Sequence, residues 1–179
     1  VRHQRQIVAR IDAAGGKCGY DHMHYEHYDF FCFPLPNGKL EPPTPAWLRR
    51  IFGDDIFRRV VWVSFGLGDD DDTSSEIIRL LPELPDVQYL EFYSNVSDDD
   101  MREICKLKQL RYLKLNRAEL TPNGWSALSS LQDLEDVEIL GGKYGDEGVK
   151  YVVGLPKLRS LAIQNNGLTD SGLATVATC

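Results

Sequence analysis

The sequence of 179 residues predicts an α/β fold, a right-handed solenoid with a parallel sheet on its inner side and short helices on its outer side. Two observations lead to this prediction. Six-residue blocks with apolar first, fourth and sixth positions recur at residues 87, 110, 134 and 158 as VQYLEF, LRYLKL, LEDVEI and LRSLAI. Between these blocks, apolar residues return at helical spacing. Each unit is therefore predicted to contain a strand, a turn and a helix.

The blocks define a repeat, since their starting positions are almost evenly spaced. A more divergent block, VVWVSF, starts at residue 60 and makes a fifth unit ahead of the others. Periods of roughly 20 to 29 residues built on LxxLxL are typical of leucine-rich repeats, whose stacked units share a core that none of them forms alone. We predict a leucine-rich-repeat solenoid of about five coils over residues 60–179, in which Leu113, Val137 and Leu161 form one buried row.

The starts of the helices and the turns before them are also marked in the sequence. Hydroxyl groups that can cap free backbone N–H groups stand at Ser97, Thr121 and Thr169. Three residues past each block comes Asn or a small residue, which suits a tight turn where a side-chain amide bonds the neighbouring unit. These turn residues are Asn95, Ala118, Gly142 and Asn166.

Residues 1–59 are predicted to form an α+β cap on the first unit. Ile7 and Ile11 have helical spacing, and Gly15-Gly16 ends that helix. The stretch Lys17 to Tyr25 alternates like a strand. A second helix is predicted from Pro45, with apolar residues at Trp47, Leu48, Ile51 and Phe52. A solenoid needs such a cap because its terminal core is otherwise open to water.

The inner face of the sheet is predicted from the residues that lie between the buried positions of each block. They form three columns: Trp62, Tyr89, Tyr112, Asp136, Ser160; Ser64, Glu91, Lys114, Glu138, Ala162; and Gly66, Tyr93, Asn116, Leu140, Gln164. Tyrosine and tryptophan are enriched where proteins bind partners. The predicted binding residues are Trp62, Tyr89, Glu91, Tyr93, Tyr112, Lys114, Asp136 and Glu138. A ladder of aromatic residues that only stabilises the sheet is the alternative.

The predicted function is non-enzymatic binding of a protein partner on this concave face. Binding of a peptide or a carbohydrate by the aromatic column is a second hypothesis. The sequence contains no GxSxG, HExxH or glycine-rich phosphate loop, so neither an enzyme nor a cofactor is predicted. The formal net charge is -7 and no lysine- or arginine-rich stretch occurs, so nucleic acid is not a predicted partner. No apolar run approaches the length of a membrane-spanning helix.

One cluster supports a hypothesis of a different class, a metal-dependent enzyme. In DHMHYEH, His22 and His24 share a face of the alternating strand with Cys18, and His27 follows. Their spacing matches no established zinc signature, so we expect no bound metal. The acidic runs Asp69 to Asp72 and Asp98 to Asp100 lack the spacing of a calcium loop.

The segment TDSGL at residues 169–173, with looser copies SDDDM, TPNGW and GDEGV, resembles a motif of bacterial leucine-rich-repeat proteins. The amino-terminal segments His3 to Ile11, Gly15 to Asp21 and Pro45 to Phe57 are similar to the front of the same family. Members of the family often carry a membrane anchor ahead of this region. The resemblance thus implies the soluble part of a membrane-anchored, extracytoplasmic protein, and it brings no catalytic motif.

The carboxyl-terminal unit is predicted to leave an apolar edge uncovered. By the repeat count, Cys179 takes the place of Leu155 in the previous unit, in the middle of a core-facing pattern. Terminal repeats normally present a polar outer face. We therefore expect this edge to pack on another copy or on further coils.

Overall fold

A computed structural model describes residues 2–21, 45, 47, 50, 59–66, 75–142, 145–164 and 167–177. Within these residues the chain forms one sheet of six strands, in the same order as in the sequence. β1 pairs antiparallel with β2, and every later pair is parallel. The strands are β1 Lys17–Tyr20, β2 Val60–Phe65, β3 Tyr89–Phe92, β4 Tyr112–Asn116, β5 Asp136–Leu140 and β6 Ser160–Gln164. The predictions of an α/β fold and of parallel repeat strands are confirmed.

A short helical segment follows each of the strands β2 to β6, as the repeat predicts. The α-helices with described bounds are α1 Arg2–Ala13, α2 Ser75–Ile78, α3 Asp98–Ile104, α4 Pro122–Ala127, α5 Gly145–Val153 and α6 Asp170–Val176. Two 3₁₀ turns, Leu81–Glu83 and Leu128–Ser130, lead towards the next strand. Helices this short are marginal by themselves, so they depend on the apolar face that they bury against the sheet.

The core runs without interruption through the units because each apolar position pairs with the same position in the next strand. Val63 lies opposite Leu90, Leu90 opposite Leu113, and Leu113 opposite Val137. All four side chains are buried. The helices close the same core from the other side through Ile78, Met101, Trp125 and Val149, all of which are buried.

The prediction that Leu113, Val137 and Leu161 form one buried row is wrong at its last member, because Leu161 is only partly buried. Leu113 is fully buried and Val137 nearly so, at 0% and 1% exposure. Leu161 lies in β6, the outer strand of the sheet, and pairs with Val137 on one side. No described strand covers its other side, so the burial that each inner unit receives from two neighbours comes from one neighbour here.

The predicted helix caps are present. The hydroxyl oxygens of Ser97, Thr121 and Thr169 accept hydrogen bonds from backbone N–H groups at the starts of α3, α4 and α6. Asp100 completes the first of these caps by accepting a hydrogen bond from the Ser97 N–H. The predicted turn contact is confirmed at Asn95, whose amide oxygen accepts a hydrogen bond from the Glu119 N–H of the next unit.

The described amino-terminal part lies against the first repeat strand. α1 buries Ile7 and Ile11, and Gly15 follows it with φ +77, the left-handed conformation that glycine adopts without strain. Of the strand predicted over Lys17 to Tyr25, β1 covers Lys17–Tyr20. The prediction is wrong at Asp21, which lies in a turn, and residues 22–25 lie outside the described residues. Trp47 is helical as predicted, but its side chain is 62% exposed and therefore not part of the core.

Candidate functional site

The three predicted columns lie side by side on one face of the sheet, which we call the column face. The register places Trp62 opposite Tyr89, Tyr89 opposite Tyr112, and Tyr112 opposite Asp136. The second column follows the same register from Ser64 through to Ala162. Strand alternation and a fixed repeat length together determine this arrangement, because side chains two residues apart point to the same side of a strand.

Aromatic rings fill the end of the column face nearest to β1. The centroids of the Tyr89 and Tyr112 rings are 6.4 Å apart, and the rings are tilted by 39°. This separation lies within the range of favourable aromatic pairs. Tyr112 is buried, whereas Trp62, Tyr89 and Tyr93 are each partly exposed. The three exposed rings are therefore the ones that can contact a partner directly.

A charged pair occupies the centre of the column face. The Lys114 Nζ atom lies 3.2 Å from Glu138 Oε2 and 5.1 Å from the centroid of the Tyr93 ring. The exposed fractions of Lys114 and Glu138 are only 8% and 7%. Burial acts to lower the pKa of Lys114, but the contributions of the Glu138 carboxylate and of Tyr93 together outweigh it and the pKa is raised. The ammonium group therefore stays charged, held between a carboxylate and the face of an aromatic ring.

The sequence pattern did not indicate how deeply each residue of the column face is buried. Three of the eight predicted binding residues are buried: Tyr112, Lys114 and Glu138. Burial raises the pKa of the Tyr112 hydroxyl, and the nearby carboxylate of Glu138 raises it further. Tyr112 therefore remains neutral and acts as a hydrogen-bond donor within the face. These three side chains form a framework for the more exposed residues around them.

The remaining predicted acidic residues lie around this framework. Burial raises the pKa of Glu91, while a hydrogen bond from Trp62 and the charge of Lys114 act in the opposite direction. Burial also raises the pKa of Asp136, and the neighbouring carboxylate of Glu135 adds to the effect. Both carboxyl groups are partly exposed. The column face thus presents two accessible carboxyl groups beside its three accessible rings.

Charged residues of alternating sign directly precede the first-column residues of three successive units. They are Arg111, Glu135 and Arg159. Glu135 accepts hydrogen bonds from Arg111, with its Oε1 atom 2.7 Å from Nη2, and from Arg159 at 3.4 Å. The hydrogen bond from Arg111 is the main reason why the pKa of Glu135 is lowered. Such exposed pairs add little stability, but they order the margin of the column face.

The pairing of Lys114 with Glu138 was missed at the level of sequence, although a signal for it exists. The two residues stand at the same place in successive blocks and carry opposite charges. In a parallel sheet such residues are direct neighbours, so opposite charges one repeat apart indicate a cross-strand pair. The Arg111 to Glu135 contact obeys the same rule.

The predicted histidine cluster cannot be placed, because His22, His24 and His27 lie outside the described residues. In the part of the chain that is described, no three His, Cys, Asp or Glu side chains form a group able to hold a metal ion. Cys18, which shares their predicted strand, has a free thiol whose pKa burial raises to about 12. At neutral pH such a thiol is protonated and is therefore a poor nucleophile. None of the described helices is long and apolar enough to cross a membrane.

Comparison with known proteins adds little. No model of a protein family matches the chain, and no curated protein matches it. Among solved structures, the chain is similar to the tropomodulin C-terminal domain of Caenorhabditis elegans, with 16% sequence identity and a TM-score of 0.45. The similarity covers 66% of this chain and 80% of that chain. This similarity does not assign the chain to a family, and the resemblance to bacterial leucine-rich-repeat proteins stays a prediction.

Proposed function

We propose that this protein is a non-enzymatic interaction module that binds a protein partner on the column face. The observation that carries the proposal is the set of partly exposed rings, Trp62, Tyr89 and Tyr93, held around a buried charged framework. Aromatic side chains bury a large area on binding at a small cost in conformational entropy, and they keep a polar atom for a directed contact.

The framework favours binding because it fixes the rings before a partner arrives. Tyr93 lies against the ammonium group of Lys114, and Tyr89 lies against Tyr112. Side chains that are already ordered lose less freedom on association, which leaves more of the contact energy for affinity. On this proposal residues 60–179 form a right-handed solenoid, and residues 1–59 form its amino-terminal cap.

Binding of a short peptide or a carbohydrate is a second candidate function, favoured by the same exposed rings beside two carboxyl groups. An aromatic ladder that only stabilises the sheet is a structural explanation of the same residues. The two explanations differ in which substitutions have an effect. Stabilisation is expected to depend most on the buried Tyr112, whereas binding is expected to depend on the partly exposed Trp62 and Tyr89.

The experiment is partner capture by three purified chains: the wild type, a Trp62→Ala/Tyr89→Ala variant, and a Tyr151→Ala control. Tyr151 is also partly exposed, but it lies in α5, away from the column face. Captured proteins are quantified by mass spectrometry, after thermal unfolding has shown that all three chains are folded. We expect the double variant, but not the control, to lose a specific partner. Equal capture by all three chains would contradict the proposal.

Two further measurements address the alternatives. Binding of labelled oligosaccharides and peptides that is abolished in the Trp62→Ala/Tyr89→Ala variant would favour the second candidate. Elemental analysis of protein purified without chelators tests the hypothesis of a metal-dependent enzyme at His22, His24 and His27. We expect no stoichiometric zinc or nickel, and metal that is lost in a His24→Ala variant would revive the enzyme hypothesis.

A further inference from the structure

One strand of the column face places a carboxyl group between two aromatic rings. Tyr89 and Glu91 alternate along β3, and Tyr93 follows its last residue, so that successive side chains leave the backbone about 7 Å apart. Trp62 in the neighbouring strand supplies a third ring, and its indole N–H donates a hydrogen bond to the Glu91 carboxylate. All four side chains are partly exposed. We call these four residues the aromatic–acid cluster.

The charge of Glu91 is only partly compensated within the column face. The three columns, whose residues are all described, carry the carboxyl groups of Glu91, Asp136 and Glu138 but one ammonium group, that of Lys114. Lys114 lies opposite both Glu91 and Glu138, and its Nζ atom is 3.2 Å from Glu138 Oε2. Burial raises the pKa of Glu91 although the charge of Lys114 acts to lower it. One cation is therefore shared by two carboxylates.

The other partly exposed carboxyl group of the face has nearby cations of its own. The charges of Arg159 and Arg111 both act to lower the pKa of Asp136. These arginines lie at the margin of the face, where they also bind Glu135. Glu91 is thus the accessible carboxylate of the face that depends on a cation already held by another group.

The face already holds one cation between a ring and a carboxylate. The Lys114 ammonium group lies 5.1 Å from the centroid of the Tyr93 ring and contacts Glu138. Such a combination is favourable when water is largely excluded, because both the ring face and the carboxylate attract positive charge. The aromatic–acid cluster presents the same two kinds of group to solvent.

A partner that covers the exposed rings also removes water from Glu91. If the covering surface is neutral, the carboxylate loses hydration and gains no opposite charge, which costs free energy. A cation brought by the partner offsets this cost and adds contacts with the rings. Charge complementarity therefore favours a partner that places a cation on the cluster.

We propose that the aromatic–acid cluster receives an arginine side chain of the protein partner, with the guanidinium group on Glu91. This inference rests on the proposed function and gives the chemistry of its central contact. A guanidinium group is planar, donates two parallel hydrogen bonds to one carboxylate and stacks on aromatic rings. An ammonium group is more strongly hydrated and loses more on entering a partly buried site. Arginine therefore matches the cluster better than lysine does.

The test titrates the full chain with capped peptides Gly-Gly-X-Gly-Gly, in which X is arginine, lysine or citrulline. Citrulline keeps the shape of arginine but carries no charge. Binding is followed by NMR through the indole N–H of Trp62, which contacts Glu91. We expect the arginine peptide to bind at least about fivefold more tightly than the citrulline peptide, because charge-assisted hydrogen bonds are about twice as strong as neutral ones. The lysine peptide should bind more weakly than the arginine peptide.

Three variants, each shown to be folded by thermal unfolding, locate the contact. Glu91→Gln keeps the size of the side chain and removes its charge, so arginine binding should weaken at least about fivefold while citrulline binding is unchanged. Glu147→Gln is the matched control, because it removes the same charge from an exposed pair with Lys150 in α5, away from the column face. Arginine binding should be unchanged in this control. Tyr89→Leu removes one ring and should weaken arginine binding about two- to fivefold.

Four results would overturn the inference. They are no change of the Trp62 signal at about 10 mM arginine peptide, which nearly saturates a millimolar site; equal binding of the arginine and citrulline peptides; binding of the lysine peptide that is as tight as that of arginine; and equal effects of Glu91→Gln and Glu147→Gln. Partner capture separates this inference from the proposed function. Capture that depends on Trp62 and Tyr89 but not on the charge of Glu91 would refute the inference alone, whereas capture that is independent of the rings would refute the proposed function.

Discussion

Replacement of Leu113 by alanine tests the register of the whole repeat. Leu113 is fully buried in β4, and the residues opposite it on both sides, Leu90 and Val137, are buried as well. Two neighbouring units and the helix layer enclose the side chain. The surrounding atoms can therefore move little to fill the cavity that the substitution leaves. We expect a loss of about 2 to 5 kcal/mol in the free energy of unfolding, the range for fully enclosed leucines.

The matched comparison is Leu161→Ala, which makes the same chemical change at the same position of the outer unit. Leu161 is partly exposed, and no described strand lies on its far side. It therefore loses less transfer free energy and leaves no closed cavity, and we expect about half the cost of Leu113→Ala or less.

Urea unfolding followed by circular dichroism measures both variants, with the dependence on urea expected to be the same as in the wild type. A cost of less than about 1 kcal/mol at Leu113 would show that the residue is not enclosed as described. Equal costs at the two positions would show that the outer unit is covered in solution.

Three other substitutions test the column face and the helix contacts. Lys114→Met removes the charge that neutralises the buried Glu138; we expect a loss of about 3 to 5 kcal/mol in urea unfolding, with partial recovery in Lys114→Met/Glu138→Met. Burial raises the pKa of Glu91 in the folded chain, so its contribution to stability is greatest below its ordinary pKa and falls as the pH rises through the raised value. We therefore expect the stability of Glu91→Gln, measured by thermal unfolding, to increase relative to that of the wild type as the pH rises above the ordinary pKa of a glutamate, about 4.3. A difference that does not change with pH would contradict the assignment. Gly124→Ala should cost about 1 to 3 kcal/mol because its β-carbon meets the Asp98 carboxylate. The cost should shrink in an Asp98→Ala background, and additive costs would argue against a collision between these two residues.

The sequence was sufficient to predict the strands, their register and the helix caps because these features repeat. A nearly constant period fixes which residues pair, and strand alternation fixes which of them face the core. The strand register pairs residues of the same predicted column throughout. The first of these pairs is Trp62 with Tyr89, and the last is Leu140 with Gln164. The caps at Ser97, Thr121 and Thr169 follow from short-range chemistry that does not depend on the fold.

Side-chain contacts between neighbouring units were harder to predict, since they depend on the length and conformation of each side chain. The sequence placed Lys114 and Glu138 on one face but did not show that they bury each other. It identified Thr121 as a cap without revealing that Asp98 binds the same threonine. The incomplete burial of Leu161 depends on the number of neighbouring strands, which a local pattern does not contain. Whether the column face binds a partner is a property of the partner as well, and it remains a prediction.

The order of the strands has a consequence for the way in which the chain folds. Each pair from β2 to β6 is closed by a connection shorter than one repeat, such as the segment 93–111 that joins β3 to β4. The connection from β1 to β2, the segment 21–59, is about twice as long. Closing a loop twice as long costs about 0.6 kcal/mol more in conformational entropy. The repeat strands can therefore pair one after another before β1 pairs with β2. A chain ordered in this way can begin to fold at any unit, and its amino-terminal strand is expected to be the last to join the sheet.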